Sequence, residues 1–243
     1  MKIDTRGYGE TARAYAYRVI RENIISLDLE PGSPFNDMEF SRRIGISRTP
    51  VREAVIQLSE ESRIIEVFPQ KGMRIALIDV DLVEEARFLR LLLEKAVAEL
   101  ACDMAAPEDI EQLRENVKLQ NFYMEEGSPK KLLELDNEMH RILFVLCRKE
   151  LTYNMCRRLA IHYDRIRSLS VNTVKDRTII EDHRELIEAI AAKDKKKAAE
   201  AMERHLNRWR PNEQRFRKQY PQYFKPAVHE RERFQEISCK RSL

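Results

Sequence analysis

Glycine is scarce in this chain, with six glycines in 243 residues. Most β-rich folds and Rossmann-type phosphate loops need glycine at positive φ or at close backbone approaches, so the scarcity disfavours them. Apolar residues make up 43% of the chain and charged residues 35%. That balance supports a packed core and disfavours intrinsic disorder. The composition therefore favours a mainly α-helical protein.

The charge of the whole chain says little about a nucleic-acid partner, because 44 basic residues nearly balance 41 acidic ones. Its distribution is more informative, since residues 42–52 contain four arginines and no acidic residue. The four cysteines form no C-x-x-C pair, and no segment approaches the ~18 apolar residues of a membrane span. We expect a cytoplasmic protein with reduced thiols and no membrane partner.

The first 78 residues have the pattern of a winged helix-turn-helix domain. Helical spacing of apolar residues predicts helices over residues 11–27, from about 36 or 37 to 44 with Asp37 as the N-cap, and from Ser47 or Thr49 onward. Gly45 separates the last two helices. Two strands, Ile64–Phe68 and Met73–Leu77, are predicted around a turn that ends at Gly72. A helix-turn-helix followed by a hairpin wing is the expected fold of residues 1–78.

The rest of the chain is predicted to be an all-α antiparallel helical bundle over residues 79–218. Period-3.6 patterning predicts helices over residues 79–105, 107–126, 129–148, 150–171, 176–192 and 194–218. Their short connections favour antiparallel neighbours. Residues 219–243 are predicted to form a polar C-terminal tail, extended or mobile.

Polar residues at the start of the third helix are candidates for reading DNA. Ser47, Arg48, Thr49 and Arg52 lie on its opening turns, where a recognition helix contacts base edges in the major groove. Arg42 adds positive charge nearby, and the turn with Lys71 and Gly72 is a candidate wing for the adjacent groove. The alternative is that the arginines only decorate a solvated helix face.

The segment SRTPVREA (residues 47–54) carries a resemblance to a known family. Together with the hairpin, it resembles the DNA-binding domain of the GntR family of bacterial transcription regulators, over residues 11–77. The resemblance implies binding to double-stranded operator DNA through Ser47, Arg48, Thr49, Arg52 and Gly72, with the Gly72 backbone near the minor groove. Met38, Ser41 and Ser62 depart from the family pattern.

Four polar residues of the bundle face the core and have the types of metal ligands. Asp136 and His140 are four residues apart on one apolar helix face, and His183 and His205 lie on the apolar faces of two other helices. A buried carboxylate needs compensation, which a divalent metal would supply. Three imidazoles and one carboxylate favour Zn²⁺, with Ni²⁺ or Mn²⁺ as alternatives. The other possibility is core histidines satisfied by ordinary hydrogen bonds.

Residues 79–218 also resemble the all-helical effector domain of the FadR-type GntR branch, often called FCD. In the metal-containing members the ligands are an aspartate, a histidine four residues later and two further histidines, which correspond to Asp136, His140, His183 and His205. The resemblance implies that Arg90 faces the carboxylate of an effector, with Arg87 a weaker candidate. For Arg90, a surface or interhelix ion pair with a glutamate is equally plausible.

The resulting hypothesis is a homodimeric transcription regulator whose operator affinity is controlled by a small organic acid bound at the metal. A metal-dependent enzyme is the alternative, but no general base accompanies the candidate ligands, and Glu138 is turned away from their helix face. A structural helical scaffold would leave the four inward polar residues unexplained.

Overall fold

The structure, a computed structural model, describes residues 1–173, 177–208 and 212–226. The N-terminal domain is the predicted winged helix-turn-helix. Its elements are α1 (Ala12–Ile25), β1 (Pro34–Phe35), α2 (Asp37–Ile44), α3 (Arg48–Ser62), β2 (Ile65–Phe68) and β3 (Gly72–Ile75). The strands form an antiparallel sheet in the order β1-β3-β2.

Caps define both ends of α2, and the C-terminal one begins the turn to α3. Asn36 is the N-cap, and its side chain accepts hydrogen bonds from the backbone N–H groups of Met38 and Glu39. Asp37 as the N-cap was therefore wrong; its buried carboxylate lies 2.9 Å from Nε of Arg48 instead. Gly45 ends α2 at a φ of +71°, a left-handed conformation that glycine adopts at no steric cost.

The sheet contains one strand that the sequence pattern did not predict. β1 is only two residues long and begins with a proline, so it has no period-two alternation to detect. It pairs Phe35 with Met73 of β3. The wing strands pair from Ile65–Ile75 to Phe68–Gly72, and Gly72 adopts a φ of +100° at the tight turn.

The remaining described chain is a helical bundle, as predicted. Its helices are α4 (Val80–Met104), α5 (Pro107–Glu125), α6 (Pro129–Leu146), α7 (Glu150–Thr173), α8 (Thr178–Ala191), α9 (Lys195–Asn207) and α10 (Glu213–Gln219). A single helix over 194–218 was wrong, because α9 ends at Asn207 and α10 begins at Glu213. Among the described residues, no helix combines the length and the apolarity needed to cross a bilayer.

The beginning of the predicted tail folds back onto the linker between the domains. Pro221–Tyr223 form a 3₁₀ turn, and Phe224 is buried. The N–H of Ile78 donates to the carbonyl of Tyr223 at 2.7 Å, and the N–H of Lys225 donates to the carbonyl of Ile78 at 2.9 Å. An extended tail was therefore wrong for residues 219–226, because two tyrosines and a phenylalanine give this segment an apolar surface to bury. Residues 227–243 lie outside the described chain.

Helix α7 joins the two domains through buried side chains. Nε2 of His162 lies 2.6 Å from the carbonyl oxygen of Ser62, the last residue of α3. Nη2 of Arg165 donates to the carbonyl of Ala76, directly after β3, at 2.6 Å. Ile161 packs into the core of the winged domain. The helical bundle therefore contacts the C-terminal end of α3 and the end of strand β3 in the wing.

The His162 contact predicts that folding stability depends on pH. Burial lowers the pKa of His162 to about 4, although its hydrogen bond to the carbonyl of Ser62 opposes this shift, and Nδ1 has no partner among the described residues. In the unfolded chain the pKa is ~6.5. The unfolded state thus gains a proton first as pH falls below ~6.5, and His162 by itself should lower the free energy of unfolding by about 1 kcal/mol at pH 5.5.

Urea unfolding at pH 7.5 and pH 5.5 measures this drop. The control is His162→Gln, whose amide can keep a donor toward Ser62 but cannot be protonated. The variant should lose less stability than the wild type on acidification. Equal losses in the two proteins would contradict the prediction.

Candidate functional site

The four candidate metal ligands come together in the core of the helical bundle. Asp136 and His140 lie on α6, His183 on α8 and His205 on α9, and all four side chains are buried. One ligand atom from each residue lies within 4.8 Å of the other three. The inward direction that the apolar stripes predicted for each residue is therefore correct.

The donor atoms of this Asp/His cluster are closely spaced. Nε2 of His140 lies 3.2 Å from Nε2 of His205, and Nε2 of His183 lies 3.1 Å from Nδ1 of His205. An oxygen of Asp136 lies 3.4 Å from Nε2 of His183, and its other oxygen lies 3.6 Å from Nε2 of His140. Ligand atoms ~2.1 Å from a tetrahedral ion are about 3.4 Å apart. With Nε2 as the ligand atom of His205, the separations of 3.2 Å to His140 and 4.0 Å to Asp136 lie near that value, which suits a first-row transition metal.

The outer ring nitrogens of two histidines face polar side chains from neighbouring helices. Nδ1 of His183 lies 2.8 Å from Oε1 of Gln120 on α5. Nδ1 of His140 lies 2.6 Å from a carboxylate oxygen of Glu94 on α4. Such partners set the tautomer that directs Nε2, the other ring nitrogen, toward a metal. Both contacts therefore orient imidazoles inward.

The protonation states of the cluster suit a cation. Burial lowers the pKa of His183 to about 4 and the pKa of His205 well below its usual value. Burial alone would raise the pKa of Asp136, but the Arg167 guanidinium and nearby histidines hold it well below its usual range. Neutral imidazoles and an ionised carboxylate are the forms that bind metal.

Arg90 forms an ion pair with a glutamate, the alternative to effector binding. The partner, Glu94, lies on the same helix, α4. Nε of Arg90 donates to Glu94 at 2.7 Å, both side chains are buried, and the guanidinium lies 5.0 Å from the ring centre of Tyr163. Despite burial, Arg90 and His140 hold the pKa of Glu94 well below its usual range. Arg90 thus keeps Glu94 charged beside His140.

Arg87 is bound at the edge of the bundle. It donates to Glu84 at 2.9 Å and to the side-chain oxygen of Asn207 at 2.9 Å. These contacts link α4 to the end of α9, so the guanidinium is occupied by a helix-to-helix connection.

A second arginine, Arg167 of α7, contacts the cluster directly. Its Nη2 donates to Asp136, and its Nη1 lies 2.8 Å from both Asp164 and the side-chain oxygen of Asn137. Asp164 is also bound by Arg157, with 2.8 Å between Nη2 and the carboxylate. Charges of alternating sign therefore run from Asp136 along α7.

A narrow cleft opens beside Asp136 and His205. Arg167, Arg208 and Tyr163 supply polar groups to its wall, and the apolar part of the wall consists of Leu132, Leu133, Val171 and Ile179. The wall combines two guanidinium groups with aliphatic surface, which suits a small organic acid. Arg90 is not part of this wall.

The DNA-binding candidates form a separate exposed surface on the winged domain. Ser47, Arg48, Thr49 and Arg52 are solvent-exposed at the start of α3, and Arg48, Thr49 and Arg52 line one shallow groove. Nε of Arg48 lies 2.9 Å from the carboxylate of Asp37, in an ion pair that leaves the arginine side chain mostly exposed. Exposed Arg42 on α2 and exposed Lys71 and Gly72 at the tip of the wing extend the surface.

Comparisons with known proteins agree with both domains. The model of the bacterial regulatory proteins, gntR family, matches residues 13–75, and the FCD domain model matches residues 85–208. The chain is 30% identical over 191 residues to the HTH-type transcriptional repressor RspR of Escherichia coli (strain K12), covering 78% of this chain and 83% of that protein. It is 29% identical to an uncharacterized HTH-type regulator of Streptomyces ambofaciens, over 89% of this chain and 91% of the relative.

Among solved structures, E. coli McbR/YncC has the same fold, with a TM-score of 0.74, 19% sequence identity, and coverage of 86% of this chain and 99% of that chain. The chain described here belongs to the gntR family of bacterial regulatory proteins and carries an FCD domain. It is a DNA-binding transcription regulator. The enzyme alternative is not supported, because the matching families and relatives are transcription regulators.

Three residues that contact the cluster were not predicted from the sequence. Gln120 left a signal, since it interrupts an apolar stripe on α5 that includes Val117 and Met124. Glu94 also had a sequence signal, because it follows Arg90 by four residues. That spacing is common on exposed helices, so it does not indicate a functional site. Arg167 left none, because its role depends on how α7 packs against α6.

Proposed function

We propose that this regulator binds its operator as a homodimer, and that a divalent transition metal and a small carboxylate bound beside it control operator affinity. The buried Asp/His cluster, with a cleft at its edge, is the observation that carries the proposal. A regulator acting on operator DNA would work in the cytoplasm.

The metal would be held by Asp136, His140, His183 and His205. Zn²⁺ is the favoured ion because it prefers imidazole nitrogen with one carboxylate, and Ni²⁺ and Mn²⁺ are the alternatives. Bound metal would supply a positive charge that attracts an anionic ligand into the cleft. Glu94 faces the outer nitrogen of His140, a position that orients the ring.

Metal analysis tests the cluster. Purified protein incubated with Zn²⁺ and then desalted should carry close to one zinc ion per chain. His183→Ala should lose it, because one imidazole ligand is gone. His162→Gln, which changes a buried histidine outside the cluster, should retain it. Unchanged zinc content in folded His183→Ala would contradict the assignment, and the same titration with Ni²⁺ and Mn²⁺ ranks the ions.

The effector would be a small organic acid whose carboxylate meets the metal, Arg167 and Arg208. Arginine binds carboxylates in a two-pronged geometry, and the aliphatic wall would take the carbon skeleton. Arg90 was expected in this role, but Arg167 and Arg208 line the cleft and Arg90 does not, which favours Arg167 and Arg208.

A thermal-shift screen of zinc-loaded protein against sugar acids, hydroxy acids and dicarboxylates tests the cleft. One class should raise Tm, and Arg208→Met should weaken binding at least ~10-fold, the usual effect of losing a charged hydrogen bond. Arg204→Met is the matched control, since Arg204 and Arg208 both pair with Asp182 but only Arg208 lines the cleft. Loss of binding in Arg90→Met with no loss in Arg208→Met would place the carboxylate at Arg90 instead.

The recognition surface would use Arg48 and Arg52 for bases and Arg42 and Lys71 for phosphates. The Asp37 ion pair supports a fixed direction for Arg48, and Gly72 lets the wing backbone approach a groove. A base-reading arginine contributes ~1–3 kcal/mol to discrimination between sequences.

Binding to two DNA duplexes tests this division of roles. One duplex is selected by the wild-type protein from a random library, and the other is a random sequence. Arg48→Ala and Arg52→Ala should weaken binding to the selected duplex about 10-fold or more and to the random duplex much less. Arg177→Ala, which removes an exposed charge from the helical domain, is the control. Equal losses on both duplexes would reduce the two arginines to phosphate contacts.

A second copy of the chain would pack on the outer face of α4 and α7. The two helices pack together and expose large apolar side chains there, namely Phe88, Leu92, Leu151, Met155 and Leu159. Leu151 is 76% exposed, which is costly for a face in permanent contact with water. A two-fold dimer would present two recognition helices ~34 Å apart to a palindromic operator.

Molar mass in solution tests the dimer. The wild type should have the mass of two chains, and Leu92→Glu/Met155→Glu should have the mass of one, because two charges would be buried in the interface. Leu119→Glu/Phe122→Glu places the same charges on the exposed face of α5 and should stay dimeric. A dimeric α4/α7 variant would contradict this interface.

A further inference from the structure

Helix α7 carries two sets of buried polar side chains that serve different domains. Tyr163, Asp164 and Arg167 belong to the effector side, where Arg167 binds Asp136 and Tyr163 lies under Arg90. His162 and Arg165 point to the winged domain. Adjacent residues of one helical segment therefore contact both functional parts of the molecule.

The winged-domain contacts lie at the elements that read DNA. His162 reaches the carbonyl of Ser62 at the end of the recognition helix, and Arg165 reaches the carbonyl of Ala76 at the base of the wing. A third contact runs from Arg21 of α1 to the backbone carbonyl of Arg157 at 3.2 Å. Helix α7 thus meets the recognition helix, the wing and α1.

The Arg165 contact opposes movement of α7 relative to the winged domain. Its side chain is fully buried, and its Nε and Nη1 have no hydrogen-bond partner among the described residues. If the Arg165 guanidinium lost its hydrogen bond to the carbonyl of Ala76, a buried charge would be left without a hydrogen-bond partner, which would strongly destabilise the protein. The winged domain is therefore expected to follow α7 when the helix moves.

Ligand binding at the Asp/His cluster would change the forces on α7 through Arg167. Arg167 is shared between Asp136, a candidate metal ligand, and Asp164 on its own helix. A cation beside Asp136 weakens the attraction of Asp136 for Arg167, and a carboxylate in the cleft competes for the same guanidinium. Either event changes the balance of forces on α7.

We propose that α7 transmits occupancy of the metal and carboxylate site to the recognition helix and wing, with Asp164, His162 and Arg165 as positioning residues. This inference rests on the proposed function, because it requires that the Asp/His cluster binds a metal. Asp164 holds Arg167 on the effector side, and His162 and Arg165 carry the displacement to Ser62 and Ala76.

The test measures how zinc changes DNA affinity. The probe is the duplex selected by the wild-type protein, and its Kd is determined in chelator and in saturating Zn²⁺. The two wild-type values should differ at least ~5-fold, the lower end of typical coupling. Arg165→Met should bring them within about twofold of each other while zinc affinity stays at the wild-type value. Arg165→Lys, which keeps a donor, should preserve most of the coupling.

Arg141→Met is the control, because it removes an arginine of α6 whose ion pair in the described part of the chain is with Glu138, and it should leave the coupling intact. His162→Leu and His162→Gln form a second pair, in which only the glutamine keeps a donor toward Ser62. If Arg165→Met fails to fold, this pair of variants tests whether α7 couples zinc binding to DNA affinity.

Amide hydrogen exchange at residues 62–63 and 76–77 gives a readout that needs no DNA. Adding Zn²⁺ should change exchange there in the wild type but not in Arg165→Met. No change in the wild type would overturn the inference. Failure of the wild type to bind zinc would overturn the proposed function as well. A wild-type coupling above fivefold that persists in Arg165→Met and in His162→Leu would overturn the role of α7 alone.

Discussion

The buried carboxylate of Asp136 is the charge around which the helical domain is organised. The neutral imidazoles of His183 and His205 face it but cannot balance it, and Arg167 contacts it as a cation. Arg167 in turn needs Asp164, and Asp164 needs Arg157. Each pair is stable only because the next charge is present, since an unpaired ion in this interior would be strongly destabilising. The packing of α6 against α7 therefore depends on this row of ion pairs.

The same row explains why a regulator would keep costly polar groups in its core. Burying ions rarely adds stability compared with apolar packing. Side chains that are bound to several partners can, however, change partners when a ligand arrives, which aliphatic residues cannot do. Arg167 is placed for such an exchange, between Asp136 and Asp164, on the helix that also holds the base of the wing. The Asp/His cluster and the winged domain are thus parts of one packed arrangement.

Sequence patterns predicted the elements with strong periodicity. They failed where contacts between residues distant in sequence determine the local structure. Apolar stripes predicted the inward direction of His183 and His205, and the GntR resemblance predicted the exposed arginines of α3. Asp37 looked like an N-cap because of its position, but Asn36 takes that role and Asp37 pairs with Arg48. Strand β1 was too short to leave a pattern, and Phe224 joins the linker through partners about 145 residues away in sequence.

The sequence by itself determined the two-domain organisation, the helical class and the four residues that meet as potential ligands. These properties follow from local periodicity, which each segment carries independently. Only the tertiary structure decided that Arg90 is occupied by Glu94, that Arg167 and Arg208 line the cleft instead, and that α7 joins the two domains. An arginine has the same local pattern whether it binds a ligand or a neighbouring carboxylate, so its partner is fixed by which helices pack together.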